Sequence, residues 1–451
     1  MDGRRTRREF LRLAAGAAAV AAGASCGSDK PKPSSAARAG GERTLRIAQW
    51  SHYLPAYDRW FDDEYTRRWG EEHGVRVLVD HIRLEELPGR ADAEVTAQGG
   101  HDVFGFIFPP PAFEDQVIDH REIVEEVEAK LGKMTPLVER GVLNRRTGKY
   151  FGFGAFWAPS PVHYRVDLWD GVQPGLHPDT WEDVLRAGAR LKAAGHPLGI
   201  GFGPEDLDAN ISQLALMHAF GSSIQDEEAK VTINSRQTVE AVKLGVAIFK
   251  AGMTDEVFAW NGASNNRFLA TGKGSLIFNP ISAVRAVEEQ DPALARQIAL
   301  APFPAGPVQR LGPHYVAGIY VIWKFSRNKE VAKQFLVDLA VNSREAFVRS
   351  QLYNLPAFPA AVGDLGQLVA GDARAQPPEK YALLAEAAQW STNVGHPGHM
   401  NSGVAEVFDQ VLIPKMFAAA ARGEMSAEEA VRAAGGQIEA IFEKWRERGM
   451  V

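Results

Sequence analysis

The sequence predicts an α/β protein with two sheet-bearing regions behind an export signal. Three observations predict it. Short apolar strands alternate with helical segments between residues 45 and 106. The same alternation returns between residues 180 and 279. The first 25 residues read as an address rather than as fold.

The first region opens on a strand at residues 45–49. A helix follows the loop that ends at Pro55, with Tyr57, Trp60, Phe61, Tyr65 and Trp69 near helical spacing, and Trp60 and Trp69 are read as core. Gly74 ends it, and residues 75–79 alternate as a second strand. Another helix runs through Gly99-Gly100 into a third strand at 102–106. Strand, helix, strand, helix, strand is a βαβ pattern and implies a parallel sheet covered by helices. In the second region, Thr180-Trp181-Glu182-Asp183 is a capping-box start, with a helix stopping near Gly195. A glycine-rich strand and turn spans 197–203, and a long helix at 236–251 ends at Gly252. Residues 275–279 form a buried strand. Ser426 starts a last helix whose inner face is Ile438, Ile441, Phe442 and Trp445. No repeat of fixed period occurs, which argues against a solenoid.

The N-terminus carries Arg4, Arg5, Arg7, Arg8 and Arg12 ahead of an alanine-rich stretch at 13–24, too short to cross a bilayer. Residues 6–12 match the twin-arginine export pattern. The single cysteine, Cys26, follows Gly23-Ala24-Ser25 in a setting that resembles a lipoprotein cleavage site, where the cysteine is acylated. Residues 1–25 are therefore expected to be a twin-arginine-type lipoprotein signal. Residues 26–43 are expected to be a flexible tether, rich in Ser, Lys, Pro, Ala and Gly, to a lipid anchor at Cys26. One cysteine permits no internal disulfide and no Cys-based zinc site.

The roughly 410 residues that remain suffice for two domains with real cores. The whole chain carries a formal charge of −6, and its signal is basic, so the remainder is more acidic still. An acidic protein without a basic stripe is a poor binder of nucleic acid or of an anionic membrane surface. Catalytic signatures are missing too. His396-Pro397-Gly398-His399 lacks the helical His-Glu-x-x-His frame and a third ligand. Residues 199–203 depart from the dinucleotide fingerprint, and there is no P-loop lysine and no Gly-x-Ser-x-Gly elbow. No pair of carboxylates stands out as a glycosidase pair. The expectation is no catalytic residue, no cofactor and no metal.

Four segments carry a resemblance. They are residues 149–154 with Val162-His163-Tyr164-Arg165-Val166-Asp167-Leu168, residues 180–185, residues 268–276, and Gly318 with residues 326–336. In that order the chain resembles the family-1 extracellular solute-binding proteins, which include maltose- and other sugar-binding proteins, over about 44–445. The resemblance implies a two-lobed periplasmic-binding-protein fold, type II-like, each lobe a mostly parallel sheet flanked by helices with a hinge between. By position the crossings fall near Ala158, Ala301 and Val341. The N-lobe would then be 44–158 and 302–341, and the C-lobe 159–301 and 342–451. It further implies a monomeric component of an ABC importer that binds a sugar or oligosaccharide in the interlobe cleft and delivers it to the membrane permease.

Sugars are held by aromatic faces on their C–H surfaces and by polar side chains on their hydroxyls, because an unpaired buried hydroxyl is costly. In open α/β sheets, ligands lie beyond the strand ends. The candidates are Trp50, His52 and Tyr53 after the first strand, Phe108 after the third, Trp157 and His163 flanking the first crossing, and Tyr315 just before Gly318. The resemblance adds Asn279 and Ser282 after the later strand, and Trp390, His399 and Asn401 in the C-lobe. Residues 50–55 are also similar to the start of polyamine-binding relatives, so another small polar solute such as a polyamine is the alternative, and a secreted carbohydrate-active enzyme the third reading.

Overall fold

A computed structural model describes residues 43–203 and 207–451. The twin-arginine segment, Cys26 and the tether up to residue 42 lie outside the described residues; Arg43 already belongs to the first strand. The first sheet contains β1 (Arg43–Trp50), β2 (Val75–Ile82), β3 (Val103–Phe106), β4 (Phe153–Ala158), β10 (Tyr315–Ile322) and β11 (Leu355–Pro356). Its order is β11-β4-β10-β3-β1-β2. The second contains β5 (Val162–Arg165), β6 (Leu198–Gly199), β7 (Leu276–Phe278) and β8 (Ile298–Ala301), in the order β6-β7-β5-β8. A small third sheet pairs β9 (Gly312–Pro313) with β12 (Ser391–Thr392).

The α/β class and the two sheet regions agree with the sequence reading; the expectation of mostly parallel sheets does not hold. β2 and β3 run parallel to β1, as a βαβ unit requires. β10 is antiparallel to both β3 and β4, and β11 is antiparallel to β4. In the second sheet β5 is antiparallel to β7 and β8, and only β6 and β7 are parallel. The chain's passage between sheets explains this. β4 leaves the first sheet at the edge where the chain crosses, and β10 enters at that edge, so the two must run in opposite directions. The same holds in the second sheet for β5, which enters, and β8, which leaves.

The first crossing occupies 159–161, between β4 and β5. Beyond β8 the chain stays with the second sheet longer than a boundary at 302 implies: the Ala305 N–H donates to Asp179 O at 2.7 Å and Ala305 O accepts from Trp181 N–H at 3.1 Å. Past 341, the helix Ser343–Arg349 leads into β11, which pairs with β4. Residues 343–356 therefore remain with the first sheet.

Local structure follows local chemistry. Tyr57, Phe61, Tyr65 and Trp69 recur every four residues, and in a helix of 3.6 residues per turn such a row drifts by about 40° per step. The chain absorbs the drift with a π turn at Phe61–Tyr65 between the helices Pro55–Trp60 and Thr66–His73. All four rings and Trp60 are buried as a result. Gly74 then closes the helix in the left-handed region, φ 63°. Both capping boxes form, Thr180 with Asp183 and Ser426 with Glu429. Among the described residues no helix is long and apolar enough to cross a membrane.

Candidate functional site

Strand direction gathers the site. β1, β3 and β4 point their C-terminal ends, and β10 its N-terminal end, to one edge of the first sheet. That edge carries Trp50, Phe108, Trp157 and Tyr315. In the second sheet β7 and β8 end beside the start of β5, Phe278 and Ala301 both opposite Val162. Asn279 therefore emerges where the chain crosses. The helix Leu207–Ala219 begins beyond the C-terminal end of β6 and brings Asp208 to the same place. The two edges meet across the crossings, which is where ligands settle in open α/β sheets.

Asp208 links them. Tyr315 donates its hydroxyl hydrogen to Asp208 Oδ1. Asp208 Oδ2 accepts from Asn265 Nδ2 at 2.8 Å and from Asn279 Nδ2 at 2.9 Å. Burial pushes the Asp208 carboxyl up to about 6, with the Tyr315 and Asn265 hydrogen bonds opposing the shift. Burial first, then the Asp208 charge, holds the Tyr315 hydroxyl well above its ordinary range. A shift in register between Tyr315 and Gly318 marks a bulge in β10, the kind of irregularity that re-aims a side chain at a strand end.

The first-sheet wall is aromatic. Trp50 stacks on His52 at 4.7 Å between ring centroids and tilts against Tyr53 at 5.4 Å. His52 Nδ1 accepts from the Leu54 N–H at 3.0 Å, so Nε2 carries the hydrogen and donates to Asn354 Oδ1 at 3.3 Å. Burial lowers the His52 pKa to about 3, which keeps the ring neutral. Tyr53 is 44% exposed. Its hydroxyl is nevertheless raised by burial and by the charges of Asp208 and Glu85. Phe108 packs on Tyr315 at 4.9 Å and on Phe408 at 4.7 Å.

Of the residues singled out in the sequence, Trp50, His52, Tyr53, Phe108, Tyr315 and Asn279 come together here. Ser282 starts the helix Ser282–Gln290 just after Asn279 and is buried. The others sit differently. Trp157 is buried with Nε1 donating to Pro356 O at 3.2 Å, and its ring meets the edge of His314. His163 is enclosed within β5 between Ile277 and Leu300. Trp390 packs against Phe303. His399 and Asn401 belong to a loop bound to Gln225: its amide donates to His399 O, and Asn401 Nδ2 donates to Gln225 Oε1 at 2.7 Å. They line a separate cavity of about 430 Å³ with Arg145, Arg146 and Glu227.

Three participants escaped the sequence reading: Asp208, Asn265 and Tyr353. Tyr353 is buried edge-on to His52 at 4.9 Å. Its hydroxyl feels the charge of Asp208 and finds no hydrogen-bond partner among the described residues. A buried orphan hydroxyl beside a cleft is a donor waiting for a ligand. Tyr353→Phe is therefore expected to weaken ligand binding by about 1 kcal/mol, roughly fivefold, while the melting temperature stays at the parent value or rises. Calorimetric titration and a melting curve on one preparation check both halves.

Among the described residues no cluster of three or more His, Cys, Asp or Glu could hold a metal ion. Comparison with known proteins places the fold. Residues 121–340 match the sequence model of the family described as bacterial extracellular solute-binding protein. Curated binding proteins of Brucella abortus and Brucella suis are 22% identical over 191 residues, 42% of this chain and 46% of theirs, so the match spans less than half of those relatives. Among solved structures, a sugar transporter from Arthrobacter chlorophenolicus with bound laminaribiose superposes with a TM-score of 0.73 at 15% identity, covering 88% of this chain and 99% of that one. Maltose-bound MalE3 of T. maritima gives 0.72 at 16% identity over 88% and 99%. A solute-binding protein of an ABC transporter from Thermotoga lettingae, with α-D-tagatose, gives 0.73 at 15% over 89% and 100%. These neighbours and the matched family are binding proteins rather than enzymes, and the two-lobed fold is shared over nearly nine-tenths of the chain. Over residues 121–340 the chain is similar to the bacterial extracellular solute-binding proteins.

Proposed function

We propose that this protein is the extracytoplasmic solute-binding component of an ABC importer, taking a sugar or oligosaccharide in the cleft around Asp208 and handing it unchanged to a membrane permease. The observation that carries the reading is the Tyr315–Asp208 hydrogen bond, in which a residue at the edge of the first sheet meets one beyond the edge of the second. Asp208, Asn265 and Asn279 offer hydroxyl partners, and Tyr53, Trp50 and Phe108 offer ring faces, the pairing that sugar recognition needs. The solved neighbours holding laminaribiose, maltose and tagatose support the same class of solute. In this reading the lobes hinge about the crossings, 43–158 with most of 315–356 forming one and the second sheet with its helices the other. Export by the twin-arginine route and a lipid on Cys26 complete the reading, resting on residues 6–12 and Cys26. A second reading is an amine-bearing solute, favoured by the tyrosines grouped around the Asp208 carboxylate.

A thermal-shift screen separates them, since a ligand that binds only the folded state raises the melting temperature. Laminaribiose, maltose, tagatose, spermidine and free amino acids are the panel. A rise with one or more sugars is expected. A rise with spermidine alone would move the protein to the second reading, and a steady conversion of any sugar to product would make it an enzyme.

A further inference from the structure

Arg285 lies outside the cleft, yet its charged group is almost wholly enclosed, 1% exposed. It sits on the helix Ser282–Gln290, one turn past Ser282, and so belongs to the second sheet's surroundings. All three nitrogens of its guanidinium are engaged. Nη1 donates to Glu288 Oε2 at 2.9 Å, Nη2 donates to Asp372 Oδ2, and Nε donates to the Gln351 carbonyl at 3.2 Å. The plane of the group lies over the Tyr381 ring at 3.8 Å. The first two contacts stay within the ion cluster that Lys380 extends through Glu288. The third reaches across to the stretch that follows the helix Ser343–Arg349 of the first sheet.

That stretch is strained where it is held. Gln351 and Leu352 are consecutive non-glycine residues in the left-handed region, φ 55° and 72°, and both are buried. Such a pair persists only when its surroundings over-determine it. The two residues that follow are those that shape the aromatic wall. Tyr353 lies edge-on to His52 with its hydroxyl raised by burial and by the charges of Tyr53 and Asp208, and Asn354 takes the His52 Nε2 hydrogen. His52 in turn backs Trp50.

We propose that Arg285 is a positioning residue for the ligand site: from the second lobe it holds the Gln351 carbonyl, fixes the left-handed turn, and thereby sets Tyr353 and Asn354 against the His52–Trp50 wall. This deepens the solute-binding reading and rests on it for the effect on affinity. The helix that supplies Ser282 beside Asn279 also grips the segment that supplies Tyr353, so the two halves of the site share one brace.

Arg285→Lys tests it, because lysine keeps the charge in the cluster but cannot present three planar donors at once. Hydrogen exchange of the ligand-free exported chain is the first readout. Amides at 352–354 and in the loop 51–54 are expected to exchange at least tenfold faster than in the parent, with the helix Lys329–Val341 unchanged. Asp372→Asn is the control: it weakens the ion cluster and leaves the Gln351 carbonyl bond in place, so it is expected to lower the melting temperature without that local pattern. Gln351→Gly in the Arg285→Lys background is expected to restore part of the protection, since glycine adopts the left-handed region without strain. The second readout is affinity for whichever of laminaribiose, maltose or tagatose the parent binds, expected to fall about tenfold in Arg285→Lys and to hold in Asp372→Asn. Parent-like exchange at 352–354, or an identical local effect from both substitutions, would overturn the proposal. If no sugar binds the parent, the functional reading fails, while the exchange result still decides the role of Arg285.

Discussion

Asp208→Asn is expected to lower sugar affinity by about 2–3 kcal/mol, roughly 30- to 150-fold, because a hydrogen bond to a charged group is worth about twice one between neutral groups. The substitution also takes the charge out of a half-enclosed site. The Asp208 carboxyl ordinarily loses its proton near 3.8 and in the fold does so near 6. Between those values the folded chain holds a proton that the unfolded chain has released. Stability from this group is therefore fully present below about 3.8 and is lost as pH rises through about 6. Asparagine does not titrate. The stability difference between variant and parent should thus move in the variant's favour by about 1–3 kcal/mol between pH 4 and pH 7, the lower end reflecting solvent at the half-buried site. Parent affinity should rise over the same interval as the carboxylate forms. Calorimetry and denaturant titrations at pH 4, 5.5 and 7 check both. A constant difference would mean that Asp208 carries no unusual charge, and an unchanged affinity would remove it from the site.

Trp60→Ala is expected to lower stability by about 3–5 kcal/mol and to leave affinity within about twofold of the parent. Trp60 is 1% exposed, packs on Tyr57, Phe61 and Tyr65, and donates Nε1–H to Glu345 Oε1 at 2.9 Å. Its removal leaves a cavity too large to collapse and an acceptor short of its donor. The π turn beside it means that the cavity falls where the helix is already irregular. Urea denaturation with calorimetric titration separates the two quantities. A loss of affinity greater than the loss of stability explains would show that this aromatic row reaches the ligand.

The contrast between these substitutions shows what the sequence could and could not disclose. Strands, capping boxes and the glycine that ends the first helix were legible because each depends on neighbours along the chain: Thr180 needs only Asp183, and Ser426 only Glu429. Strand direction was not, since a strand carries no mark of whether its partner is an earlier neighbour or one that has returned from another sheet, as β10 has. Within the site, Trp50, Tyr53 and Phe108 are legible from their position after strand ends, whereas Trp157 rests on its place beside the first crossing and Trp390 on the resemblance. Those two turn inward instead, because a tryptophan fills a core as readily as it faces a ligand. Asp208 opens a helix just past the glycine-rich 199–203, but a single acidic residue at a helix start carries no motif that marks it as part of a cleft. Asn265 and Tyr353 have no periodic or motif signal. They reach Asp208 only through the crossing of the two sheets.

Titrating laminaribiose, maltose and tagatose calorimetrically into the protein tests the central claim most directly. At least one of these sugars should bind saturably at one site per chain and be recovered chemically intact from the cell. No heat from any of them, with spermidine binding stoichiometrically under the same conditions, would contradict the sugar-binding account and leave only the fold.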